Sequence, residues 1–150
     1  MCGPLDTPSL GGNKYFLTFV DDFLRKICVY LIKEKAEVFS VFEKCCAHVE
    51  RQSDNNLKIL RVDGGGEYKS REFNKFCEEN GIVHEVTAPY TPQHNELAER
   101  INKMLVDMTR CMLKGKCMSY GYWGEEVTID AYIFNRCPTK RLNFVTPEEA

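Results

Sequence analysis

Residues 58–86, KILRVDGGGEYKSREFNKFCEENGIVHEV, decide how the rest of the chain is read. Lys58 to Val62 is a short strand that runs straight into Asp63. Gly64, Gly65 and Gly66 then force a turn. Ser70 stands where an N-cap belongs, three residues before Phe73, and opens a helix that Asn80-Gly81 stops. Ile82 to Val86 is a second short strand. A strand, a helix and a strand in so little chain imply an α/β unit.

The flanks agree with that reading. Upstream, Tyr15–Val20 and Lys26–Ile32 are rich in aromatic and β-branched residues and form a hairpin turning at Asp22–Arg25. Residues 36–49 place apolar side chains at helical spacing, and Asp54-Asn55-Asn56 breaks the run. Downstream, Thr87 to His94 is a loop held by Pro89 and Pro92. Asn95 can cap a long helix to about residue 114, and Tyr120–Arg136 gives a last helix before Pro138. A hairpin followed by alternating helices and strands predicts a mixed sheet with helices packed on it.

The 150 residues read as a single domain, and 43% hydrophobic content is enough for a core. No run is long enough to span a membrane, so no membrane partner is expected. The opening MCGPLDTPSLGGNKYF lacks a basic n-region and a long apolar stretch, so no signal peptide is expected. A net charge of −2 counts against a freestanding nucleic-acid binder. None of the eight cysteines forms a CxxC pair, so buried thiols are expected rather than a disulfide scaffold. Cys45 and His48 share a helix face, but no second pair follows to complete a zinc site.

Two acids stand out. Asp63 ends a strand, where open α/β sheets place their ligands, although an ordinary Asp-Gly turn would read the same locally. Glu99 lies near the start of the long helix, whose apolar stripe reads Leu97, Ile101, Met104, Leu105, Met108 and Met112. Two residues from Leu97 and Ile101, it projects about 200° away from them. Its face continues through Asn102, Lys103, Val106 and Arg110, which suits a metal beside a phosphate backbone and equally a solvated helix face.

Thirty-five residues separate Asp63 from Glu99, within VDGGGEY and TAPYTPQHNELAERIN. With CGPLDTPSLGGNKYFLTFVDDF near the start and NRCPTKRLNFVTPEEA at the end, nearly the whole chain resembles the integrase core of Copia-type long-terminal-repeat retrotransposons, within the retroviral integrase superfamily. The resemblance implies an RNase H-like fold with a mixed five-stranded sheet flanked by helices. It implies two Asp and one Glu binding Mg²⁺ or Mn²⁺ for DNA 3′-end processing and strand transfer, with Asp63 and Glu99 as the second and third members. It implies DNA as partner, a possible homo-oligomer, and action in the nucleus, although no targeting signal is seen in the chain. Tyr90, Gln93 and Asn95, on a loop expected to close on DNA, join Asn102, Lys103 and Arg110 as DNA contacts.

The family's first catalytic Asp would fall immediately ahead of Met1, so the first, central strand is expected to be largely missing and metal binding weak. The chain as given is then expected to be inactive. The alternative is a non-enzymatic fragment, domesticated or remnant, that binds DNA or other integrase subunits. Asp6 lies on the correct edge to substitute, whereas Asp21 is expected to cap the hairpin. Glu67 is expected beside Asp63. The chain departs from the family at Gly64, where Asn is usual, and at Glu96, where Gly is usual. The first change loses an amide that could orient the loop, and the second adds charge near the metal face.

Overall fold

The computed structural model describes residues 1–86 and 96–150. They divide into two compact units, Met1–Glu34 with Ala98–Ala150, and Lys35–Leu97.

In the first unit, β1 (Tyr15–Val20) pairs antiparallel with β2 (Ile27–Ile32), from Tyr15 opposite Ile32 to Val20 opposite Ile27. Asp21 builds the turn: its carboxylate accepts from the Phe23 and Leu24 amides at 2.9 and 2.6 Å. Arg25 takes a φ of 62° there, and its amide donates to the Asp21 carbonyl. On the other side of β1, Cys2 exchanges two backbone hydrogen bonds with Phe16, at 2.9 and 3.1 Å. Where the first strand was expected, the described residues hold this bridge and a 2.8 Å bond from the Leu5 amide to the Lys14 carbonyl.

Two helices complete this unit, α3 (Glu96–Gly115), which enters it from Ala98, and α4 (Trp123–Asn135). The expected last helix is thus one turn shorter, because Tyr120–Tyr122 forms a 3₁₀ turn ahead of it. Phe16, Leu17, Ile32, Leu105, Trp123 and Val127 are buried in its core. At the far end of α4, Asn135 clamps β2: its side-chain oxygen accepts from the Ile27 amide and its nitrogen donates to the Ile27 carbonyl, both at 2.8 Å.

The buried row of α3 differs from the expected stripe. It runs Ile101, Leu105, Thr109, Leu113, while Met112 is 42% exposed and Met104 and Met108 are half-buried. The cause is polar. Asp130, fully buried on α4, accepts a 2.8 Å hydrogen bond from the Thr109 hydroxyl and so draws a polar residue into the core row.

One turn before Asp130 on α4 stands Glu126, and Asp130 Oδ1 and Glu126 Oε1 are both buried without a hydrogen-bond partner. Burial pushes the Asp130 carboxyl up against the opposing pull of the Thr109 hydrogen bond. Burial and then the Asp130 charge push Glu126 up. A folded state that holds these protons more tightly than the unfolded chain is most stable in acid and loses that stability as pH rises through the raised values. Asp130→Asn keeps an acceptor for Thr109 but cannot ionise. It should therefore stabilise the chain by on the order of 1 kcal/mol at pH 8 and by less at pH 4. Thermal unfolding of both proteins across that range checks this; an equal shift at both ends would refute it.

In the second unit, β3 (Ile59–Val62) and β4 (Val83–Val86) pair in parallel, with α2 (Arg71–Glu79) crossing between them and α1 (Val38–Ser53) ahead. Ser70 caps α2 as expected, its hydroxyl accepting from the Phe73 amide at 3.1 Å. Gly81, at φ 67°, turns the chain out of α2 into β4. Phe42 stacks on Phe73 at 4.9 Å, with Phe39, Phe76 and Tyr68 edge-on or tilted around them. Cys45, Cys46 and Cys77 are buried thiols in this core, whereas Cys111, Cys117 and Cys137 in the first unit are exposed, so the expectation of buried thiols holds only in part. No helix among the described residues is long and apolar enough to cross a membrane.

Candidate metal and nucleic-acid site

Asp63 is half-buried at the end of β3. Its Oδ1 accepts from the Gly65 amide at 3.2 Å, so the turn fixes the carboxylate from below. A Cβ on Gly65 would stand 2.9 Å from Asp63 Oδ1 and 2.9 Å from Glu67 Oε1. Glycine here lets two carboxylates converge on one backbone position, the placement expected of Glu67. Beneath them Tyr68 is buried, and burial, then the charges of Asp63 and Glu67, hold its phenol well above the usual range. Lys69 Nζ lies 3.9 Å from where a Gly64 Cβ would be, so a cation stands over the same turn.

In the other unit, Glu99 is exposed on the first turn of α3. Measured from the middle of the buried row, it projects about 100° to one side rather than directly outward. Asn102, one turn on, is half-buried, and its side-chain oxygen accepts from the Thr18 hydroxyl of β1 at 2.7 Å. Its amide nitrogen keeps two donors for other partners. Lys103 is exposed, and so is Arg110, which faces Asp107 at 3.9 Å. Exposed pairs of this kind are weak, so Arg110 can exchange its partner at little cost.

Asp63 and Glu99 belong to different compact units. Among the described residues no group of three metal-ligating side chains is assembled. Tyr90, Gln93 and Asn95, with the rest of the expected loop from Thr87, lie outside the described residues. The donors at the Asp63 turn are carboxylate oxygens, the chemistry a hard divalent cation takes. Sequence reasoning missed the Thr18–Asn102 bond, since nothing local marks a pairing across 84 positions.

Comparison with known proteins converges on one family. The integrase core domain family matches residues 4–92. The chain is 50% identical over 148 residues, 99% of its length, to the retrovirus-related Pol polyprotein from transposon TNT 1-94 of Nicotiana tabacum. It is 30% identical over 93% of its length to that from transposon RE2 of Arabidopsis thaliana. It spans only 11% and 9% of those relatives. Among solved structures, the simian T-cell lymphotropic virus intasome in complex with PP2A regulatory subunit B56 gamma matches 89% of this chain and 46% of its own, at TM-score 0.72 and 20% identity. The HTLV-2 integrase catalytic core domain in complex with magnesium matches 89% and 82%, at TM-score 0.65 and 16% identity. The mixed α/β architecture is therefore the RNase H-like fold of integrase cores. The chain belongs to the integrase core domain family, on the branch carried by the Pol polyproteins of Copia-type retrotransposons.

Proposed function

We propose that Asp63 and Glu99 are two of three carboxylates that hold Mg²⁺ or Mn²⁺ for DNA 3′-end processing and strand transfer. The observation that carries this reading is the Cys2–Phe16 bridge. Antiparallel pairing advances in steps of two, so a residue immediately ahead of Met1 would pair with Thr18 in that register. Paired residues share a face, and Thr18 is bonded to Asn102, one turn beyond Glu99. An Asp at that position would thus face the side of α3 that carries Glu99.

Bound metal would supply activation of the attacking hydroxyl and stabilisation of the leaving oxygen. The chain's own residues bind and orient. Gly65 fixes one oxygen of Asp63 and leaves the other to a ligand. Lys103 and Arg110 reach phosphates, and Tyr90, Gln93 and Asn95 are further DNA contacts on this reading. Action on chromosomal DNA would place the protein in the nucleus, with further copies of the chain as partners.

The test compares the 150-residue chain with one extended by a strand ending in Asp directly before Met1, using Mg²⁺- or Mn²⁺-dependent cleavage of DNA ends. The extended chain should cut. Asp63→Asn or Glu99→Gln in it should each lower the rate by about a hundredfold or more. Full activity in either variant would overturn the assignment. DNA binding without cleavage by the extended chain would point to a non-enzymatic module.

A further inference from the structure

One face of α2 carries Arg71, Asn74, Lys75 and Glu78, the three- and four-residue steps of a single helix side. With Lys69 they line an open groove of about 510 Å³. Every one of these residues is exposed. The opposite side of α2 is committed to the core through Phe73 and Cys77. The cations are not spread evenly. Lys69, Arg71 and Lys75 occupy the half nearer the Asp63 turn, and the groove's carboxylate, Glu78, stands at the far end. Of the three, Lys75 has an ion-pair partner among the described residues, Glu79 at 3.5 Å, and both side chains are largely exposed. Such a pair is worth little and yields readily to a phosphate.

We propose that Lys69, Arg71 and Lys75 form a track for the sugar–phosphate backbone of a DNA strand leading to Asp63. This rests on the reading of the chain as a DNA-processing core. Arg71 and Lys75 are spaced about 6 Å apart along the helix axis. A DNA strand advances 3.4 Å per phosphate along its axis, so the two cations meet phosphates about two steps apart. Lys69 continues the line onto the turn itself, where its ammonium lies beside Gly64. That position answers an electrostatic need, because Asp63 and Glu67 would otherwise repel an approaching phosphate. The groove is open rather than enclosed, which favours a polyanion over a small phosphate ester. Arg71 can grip a phosphate with two parallel N–H donors, and the two lysines act as point charges.

The experiment is a salt titration of binding to a fluorescent duplex oligonucleotide. It uses the chain, the variant Lys69→Ala/Arg71→Ala/Lys75→Ala, and a control, Lys114→Ala/Lys116→Ala/Lys140→Ala, with the same change in net charge at exposed positions elsewhere. Each lost phosphate contact lowers the slope of log K against log salt by about 0.9. The groove variant should lose about two to three units of slope and bind at least about tenfold more weakly at 0.1 M salt, while the control keeps its slope to within about one unit. Lysine acylation read by mass spectrometry should show Lys69 and Lys75 protected by the duplex and Lys114 unprotected. Equal slopes in the two variants would overturn the track and leave DNA binding standing. Absence of salt-dependent binding by the unaltered chain would overturn the DNA reading and the track with it.

Discussion

Trp123→Ala is expected to remove about 3–5 kcal/mol of stability, a large share of the roughly 5–15 kcal/mol a domain of this size holds. Trp123 is the largest fully buried side chain. Its ring meets Phe16 of β1 at a centroid distance of 6.3 Å, so it joins the first residue of α4 to the hairpin. Its indole N–H donates to the Thr7 carbonyl at 2.8 Å, which ties down the loop ahead of β1. Alanine leaves a cavity among close-packed neighbours and strips the Thr7 carbonyl of its donor. Chemical denaturation should show the midpoint falling with little change in slope. Trp123→Phe should recover most of the packing but not the hydrogen bond. A loss below about 1 kcal/mol for the alanine variant would mean that the core closes over the site.

Asn135→Ala should cost about 2–5 kcal/mol, although only a small polar side chain is shortened. The reason is that two backbone groups depend on it. Ile27 lies opposite Val20 at a position whose amide and carbonyl point away from β1, since the neighbouring Asp21 amide bonds to the Lys26 carbonyl. Asn135 answers both groups from a buried position. Alanine offers neither donor nor acceptor and leaves both stranded. Aspartate can accept from the amide but cannot donate when ionised, so Asn135→Asp should be no better at neutral pH and should recover in acid. Hydrogen exchange at Ile27 reads the effect directly. Protection there that survives the alanine substitution would refute the clamp.

Much of the architecture was legible. Tyr15–Val20 and, to within one residue, Lys26–Ile32 declared themselves through aromatic and β-branched density, and Ser70 and Gly81 marked the ends of α2 because their chemistry is local. The buried row of α3 was not legible. Periodicity ranks methionine above threonine, and Thr109 is buried only because Asp130 waits for it 21 residues later. The site divides the same way. Asp63 could be placed from the strand and the glycines that follow it. Glu99 could be placed on a helix, but its angle to the core depended on the row that was misread. Nothing local in NRCP marks its Asn, and only the fold shows it as the clamp on Ile27.

That clamp also bears on how the chain behaves in company. The outer side of β2 carries backbone groups that could recruit a strand from another molecule, the usual route by which sheet proteins aggregate. Asn135 occupies that side at Ile27, where a foreign strand would begin to pair, and α4 stands over the edge. On the opposite side of the hairpin, Cys2 occupies Phe16 in the same manner. Among the described residues, the two-stranded ladder is thus stoppered on each margin, by a side chain on one and by backbone on the other. Solubility at high concentration should depend on these two stoppers more than on surface charge.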